Sequence, residues 1–209
     1  MLLLSKLLQF VLFTSHKYSI DESHGIGHSM DVLHFAHNIY ESEVHTNPFL
    51  KKHENIIYVS AIIHDMCDKK YMNQDQGIFE IENFLQKKLP VNDIDAVKQI
   101  ISTMSYSYVK KNGFPILGEY QHAYHIVREA DLLTAYDFDR CMAYKLHLNG
   151  GDIDDAFEDS LDLFNHRVLQ HNKDNLFLTD YSLLKSRELH MQSLQRIQNW
   201  KQILKKPHL

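Results

Sequence analysis

Apolar residues recur at three- and four-residue intervals through most of this chain, and little interrupts them: its 209 residues include seven glycines and four prolines. Glycine and proline end helices and turn strands, so their scarcity over apolar-periodic stretches predicts a mostly helical protein. No stretch alternates convincingly with period two, which argues against a large sheet. The expected fold class is all-α, a helical bundle in a single domain of 1–209, since this length suits one domain with a proper core.

The apolar period places the helices. The first runs to about residue 14, and the second starts near Ser23, read as its N-cap, and carries His28, Val32, Phe35, Ala36 and Ile39. The third covers about 54–65. A fourth is expected at about 77–89, stopped by Pro90, and a fifth at about 93–104. Residues 110–115 read as a loop. A long sixth helix is expected over about 119–148, stopped by Asn149-Gly150-Gly151, and two more over about 153–170 and 180–204. The opening apolar stretch superficially resembles a signal peptide, but Lys6 and Gln9 interrupt it and no small-residue cleavage site follows. With Leu3, Leu7, Phe10 and Val11 at helical spacing, it is read as a core helix, too short to span a bilayer.

Charge and cysteine usage narrow the function classes. A formal charge of -5 without a basic stripe argues against an electrostatic grip on long nucleic acid, while leaving room for a local phosphate pocket. Two cysteines, Cys67 and Cys141, without CxxC spacing predict neither a disulfide framework nor a structural zinc site, and fit the reducing cytoplasm.

The chemistry concentrates elsewhere. The run Ile56-Ile57-Tyr58-Val59-Ser60-Ala61-Ile62-Ile63 ends in His64-Asp65, an imidazole and a carboxylate at the edge of a core. Adjacent residues point about a quarter-turn apart on a helix, yet both can reach an ion beside its end. Upstream stand His24 and His28, four apart and so on one face of a helix. Downstream, Asp131 interrupts an apolar stripe, where an unpaired carboxylate would be costly. Histidine, His-Asp and a distant Asp form a candidate four-ligand site of mixed nitrogen and oxygen donors. Such a set suits one divalent ion among Mn, Fe, Co and Ni, and tolerates Mg.

His28-Ser29-Met30-Asp31-Val32, Ile62-Ile63-His64-Asp65 and Glu129-Ala130-Asp131 resemble the HD-domain metal-dependent phosphohydrolase superfamily. The block His64-Asp65-Met66-Cys67-Asp68-Lys69-Lys70 resembles the His-Asp-x-x-Asp-x-Lys motif of small bacterial-type HD nucleotide hydrolases. The likeness covers about 20–145, which it marks as a metal-binding core, with 151–205 as a helical extension. It implies His28, His64, Asp65 and Asp131 as metal ligands, and Asp68 as the catalytic group orienting water or moving a proton. It implies substrate contacts from Lys70, His24 and Glu129, to which Lys110 and Lys111 are added as clamp candidates from their loop. Leu132 and Thr134 depart from the pattern, standing where close relatives carry an arginine and an acid.

The implied activity is hydrolysis of a phosphoester or phosphoanhydride of a small phosphorylated substrate, a nucleotide by family likeness. Two alternatives stay open: a non-catalytic nucleotide-binding module, and a di-iron oxygenase of the same superfamily, which would need His122 and His125 as further ligands. Leu189, Met191, Leu194, Ile197, Trp200 and Leu204 in the last helix could pack on their own core or make a homodimer.

Overall fold

The apolar spacing becomes helix almost everywhere it occurs. The computed structural model describes residues 2–205, with ten α-helices, short 3-10 turns and, among the described residues, no strand. The chain divides after Asp131 into two compact units.

The N-terminal unit holds α1 (Leu3–Tyr18), α2 (Ile26–Val44), α3 (Glu54–Ile63), α4 (Gln74–Leu85), α5 (Val91–Thr103) and α6 (Tyr106–Asn112). It also holds the part of α7 (Gln121–Thr134) that reaches Asp131. The centre is α3, which is apolar on nearly every side and therefore buried on nearly every side: Ile56, Ile57, Val59, Ala61, Ile62 and Ile63 are all inaccessible. Helices α1, α2 and α5 pack around it. The opening stretch is part of this core: Leu7 and Val11 are buried, and Phe10 stacks on Phe84 of α4 with ring centroids 4.4 Å apart. No described helix is long and apolar enough to cross a membrane.

The C-terminal unit contains α8 (Phe138–Leu148), α9 (Ile153–His166) and α10 (Asp180–Leu204). Phe138 packs edge-on against Phe157 and Phe164 of α9, which ties the first two together. The acidic residues of α9 mostly face solvent, and Asp152 caps the helix by accepting from the amides of Asp154 and Asp155.

Several boundaries differ from those the sequence predicts, each for a local reason. The expected helix over 119–148 is broken, because the Asp137 side chain accepts the Arg140 amide at 3.0 Å and starts α8 afresh. Residues up to 112 of the expected loop are helical, since Ser105 caps α6 through the Tyr108 amide. Helix α4 starts at Gln74, not 77, because Asn73 accepts the Gln76 amide. Ser23 lies in a 3-10 turn before α2 and is not its N-cap. On α10, Ile197 is buried as its apolar pattern suggests, but Met191 and Leu194 are exposed, and the buried side is lined by Ser182, Ser186 and Ser193.

Gly77, inside α4, has a positional reason. A Cβ there would lie 2.7 Å from the Cα of Cys67, so only glycine lets α4 approach the turn that follows His64 and Asp65.

Candidate metal centre

Three elements of the N-terminal unit supply the cluster. His28 projects from the first turn of α2, His64 and Asp65 from the C-terminal end of α3, and Asp131 from α7. The His28 and His64 Nε2 atoms are 3.1 Å apart. Asp65 Oδ2 lies 3.2 Å from each of them, and Asp131 Oδ1 lies 3.5 Å from His28 Nε2 and 3.7 Å from His64 Nε2. One ligand atom each from His28, His64 and Asp65 falls within a mutual 4.8 Å. The two adjacent side chains of the His-Asp pair do converge beside the helix end.

Donor and acceptor roles show what this arrangement wants. His64 Nδ1 sits 2.9 Å from the Ala61 carbonyl, which can only accept, so Nδ1 carries a proton and Nε2 of the neutral ring is a bare lone pair aimed at the cluster. Asp65 Oδ2 is buried and meets no donor in hydrogen-bonding geometry, although both imidazoles are near. A buried carboxylate oxygen without a donor is costly. With His64 Nε2 an acceptor, His28 Nε2 carries the proton of the 3.1 Å contact between the rings, and a cation in that proton's place would meet both imidazole nitrogens and the carboxylate oxygens together.

Electrostatics points the same way. Burial opposes charge on His64, but the carboxylates of Asp65 and Asp131 outweigh it and push the imidazole up to about 9. Burial likewise opposes ionisation of Asp65, yet the imidazoles of His64 and His28 hold its carboxyl well below the usual range. Asp131 follows: burial is outweighed by His28 and His64, and its carboxyl falls to about 2. Two anionic groups thus stabilise one positive charge between them, a proton or a metal ion. Two imidazole nitrogens and two carboxylate oxygens fit a divalent ion of intermediate softness.

A polar network adjoins the cluster. The His24 ring stands edge-on to His28 at 6.1 Å, and its Nε2 is 3.2 Å from Lys70 Nζ. Burial lowers the His24 pKa, opposed by the Asp65 carboxylate and reinforced by Lys70 and His28. The half-exposed Lys70 ammonium also lies 3.9 Å from Asp68 Oδ2, while Asp68 Oδ1 accepts the Lys70 amide at 2.8 Å. His24, Asp68 and Lys70 are therefore gathered together.

Other sequence-predicted residues are placed differently. Glu129 is fully buried and pairs with the equally buried Arg128 at 3.1 Å, so it is no substrate-facing acid but half of an interior ion pair. Lys110 and Lys111 belong to the last turn of α6 and not to a loop. Lys110 lies over the Tyr106 ring of its own helix, and Lys111 is exposed. His122 pairs with Glu43 at 3.1 Å, and His125 meets Gln121 at 3.0 Å, so both face partners other than the cluster. Cys67 is a buried core thiol, pushed up to about 12 by burial and by Asp65 and Asp68.

Sequence reasoning missed Asp21, Ser23 as a side-chain donor, and Tyr71. Asp21-Glu22-Ser23 carries a local signal, an Asx turn in which Asp21 accepts the Ser23 amide at 2.9 Å. Tyr71 reaches Asp21 and His24 across some fifty residues, and nothing in its own neighbourhood announces that.

The chain matches no family model and no curated protein. Among solved structures it is similar to YpgQ of Bacillus subtilis, with 21% sequence identity, 97% of each chain covered and a TM-score of 0.64. That likeness shows the all-α fold.

Proposed function

We propose that this protein is a divalent-metal-dependent phosphohydrolase of the HD-domain type, cleaving a phosphoester or phosphoanhydride bond of a nucleotide or similar small phosphorylated substrate. The observation that carries the reading is the convergence of His28, His64 and Asp65, with the bare Asp65 Oδ2 among them and Asp131 Oδ1 3.5 Å and 3.7 Å from the two imidazole nitrogens. These four side chains would hold one ion, with Mn, Fe, Co, Ni and Mg as candidates. Once bound, such an ion supplies Lewis acidity that acidifies water and polarises a phosphoryl oxygen.

The chain's own residues supply the rest. Lys70 offers an ammonium beside the cluster to neutralise phosphate oxygens as charge builds. Asp68 is assigned to orienting the attacking water and taking its proton through Oδ2, its Oδ1 being engaged by the Lys70 amide. Water adds to phosphorus, the bond to the leaving oxygen breaks, and the proton released by water returns to solvent or to the leaving group. A small substrate, no long nucleic acid and a cytoplasmic setting belong to the same reading, supported by the net charge of -5 and two free cysteines. So does a homodimer through the exposed Met191 and Leu194 of α10.

The test is phosphate and pyrophosphate release from a nucleotide panel with Mn, Mg, Co and Ni, comparing the wild type with Asp65→Ala. The expected result is turnover with at least one ion and a loss of about 100-fold or more in the variant, on the scale of losing a ligand to a catalytic metal. Metal and nucleotide binding with no release under any ion would instead mark a regulatory module. Iron content with oxygen uptake would mark an oxygenase.

A further inference from the structure

Beside the metal cluster, Asp21, Ser23, His24, Lys70 and Tyr71 form a chain of polar contacts whose proton positions can be deduced. Asp21 ends the segment before the 3-10 turn Glu22–His24, and Tyr71 and Lys70 come from the turn after α3. The Ser23 hydroxyl donates to Asp21 Oδ1, and the Tyr71 hydroxyl donates to Asp21 Oδ2. A hydroxyl has one proton, so each turns only lone pairs toward any neighbour other than Asp21. Both approach the same atom in this way: His24 Nδ1, 2.8 Å from Ser23 Oγ and 3.0 Å from Tyr71 OH.

Two lone-pair donors facing one ring nitrogen require that nitrogen to carry the hydrogen. His24 is then the Nδ1–H tautomer, and its Nε2 is an acceptor. Lys70 Nζ, which can only donate, lies 3.2 Å from that Nε2. We propose that Asp21, acting through the Ser23 and Tyr71 hydroxyls, fixes the His24 tautomer so that His24 tethers the Lys70 ammonium as a preorganised binding group for the phosphoryl oxygens of the substrate. Asp21 and Tyr71 are positioning residues, and His24 is a holder of Lys70, not a substrate contact of its own. The value of the tether is entropic. A free lysine samples many rotamers, whereas one docked on an imidazole is already aimed when the anion arrives. This deepens the phosphohydrolase reading and rests on it for the identity of the anion, but not for the tautomer.

Two measurements test it. Long-range proton–nitrogen correlation spectra of protein with 15N-labelled histidine, assigned by the missing signals of His24→Gln, report the His24 tautomer without substrate. The wild type is expected to show Nδ1–H, and Asp21→Asn to populate Nε2–H. A wild-type Nε2–H ring, or an Asp21→Asn variant with an unchanged tautomer, overturns the relay. Should Asp21→Asn fail to fold, the wild-type tautomer alone decides. Inorganic pyrophosphate affinity of the Mn-loaded protein, measured by calorimetry, then tests the tether. Asp21→Asn and Lys70→Ala should each weaken binding about tenfold, and the double variant no further than Lys70→Ala alone, because the two act through one ammonium. Multiplying effects, or no pyrophosphate binding by the wild type, overturn the tether. A protein that passes both tests yet releases phosphate from no nucleotide keeps the relay and loses the hydrolase reading.

Discussion

Each of the two units holds a buried polar grouping, and the two groupings are built in opposite ways, although both units also bury side-chain atoms that make no hydrogen bond, Ser160 Oγ and His190 Nδ1 among them in the C-terminal one. Around Asn172 in the C-terminal unit donors meet acceptors in sequence: Asn172 Nδ2 donates to Tyr136 OH, Ser186 Oγ donates to Asn172 Oδ1, and Ser193 Oγ donates to the Tyr136 carbonyl. Thr179 Oγ1 donates to Ser182 Oγ at 2.8 Å. In the N-terminal unit, two imidazole nitrogens and two carboxylates crowd together, and the buried Asp65 Oδ2 meets no donor. Burial alone does not separate a structural polar group from a functional one. The chemistry of the grouping does: a matched set of hydroxyls and amides stabilises the fold, whereas two carboxylates and two imidazoles converging on one point fit a cation.

The largest effect should come from supplying that cation. With Mn or Co at about 100 to 1,000 times its dissociation constant, linkage gives roughly 3–4 kcal/mol of stabilisation, read as a rise in Tm that a chelator reverses and Asp65→Ala abolishes. The gain should depend on pH in a defined direction. In the metal-free protein His64 is raised from 6.5 to about 9, so its protonated form contributes stability that is fully present below 6.5 and lost as pH rises through 9. A metal ion needs the unprotonated ring. Its stabilising effect must therefore grow from pH 6.5 to 9, while the metal-free protein weakens over the same window. A metal-induced Tm shift that shrinks across that range would break the contrast between the two units.

A smaller effect tests the scaffold behind the cluster. Gly77→Ala forces a Cβ to within 2.7 Å of Cys67 Cα, a backbone atom in the turn after Asp65 that cannot swing aside. Overpacking of this kind costs about 1–3 kcal/mol, and because the displaced turn carries Asp68 and Lys70, turnover should fall with stability. Denaturant unfolding and phosphate release on the same sample measure both. A fully stable Gly77→Ala protein would mean that α4 does not set the position of this turn.

The elements of this site were unequally legible in the sequence. His64-Asp65 stood out because an apolar run ended in two ligand types, and His28 and Asp131 stood out as polar interruptions of apolar faces. Each signal is local, and the structure brings all four together. Glu129 misled because its neighbour Asp131 faces the cluster, whereas two positions along a helix rotate a side chain to another side, here into the interior with Arg128. Lys110 and Lys111 are candidates only through their charge and an expected loop, and the Ser105 cap that makes this stretch helical leaves no local apolar signal to show it. The break at Asp137 was hidden by helical periodicity on both sides, since a cap depends on one side chain accepting one amide. On α10, small serines occupy the buried side, so of the two roles open to its apolar residues Ile197 takes the core and Met191 and Leu194 do not.

Ser186→Ala carries the comparison to its other side. Ser186 is fully buried, and its Oγ donates to Asn172 Oδ1 at 2.9 Å, while Asn172 in turn donates to Tyr136 OH. Removing the hydroxyl leaves the Asn172 carbonyl without that donor, which should cost about 1–2 kcal/mol in urea unfolding. If this network is purely structural, the variant keeps wild-type metal affinity and wild-type turnover at temperatures where it is folded. Replacing a matched donor then lowers stability and nothing else, whereas replacing one of the converging carboxylates, as in Asp65→Ala, should abolish metal binding. A Ser186→Ala protein that lost metal affinity in proportion to its stability would show that the two polar groupings are coupled, and that the division after Asp131 does not separate their roles.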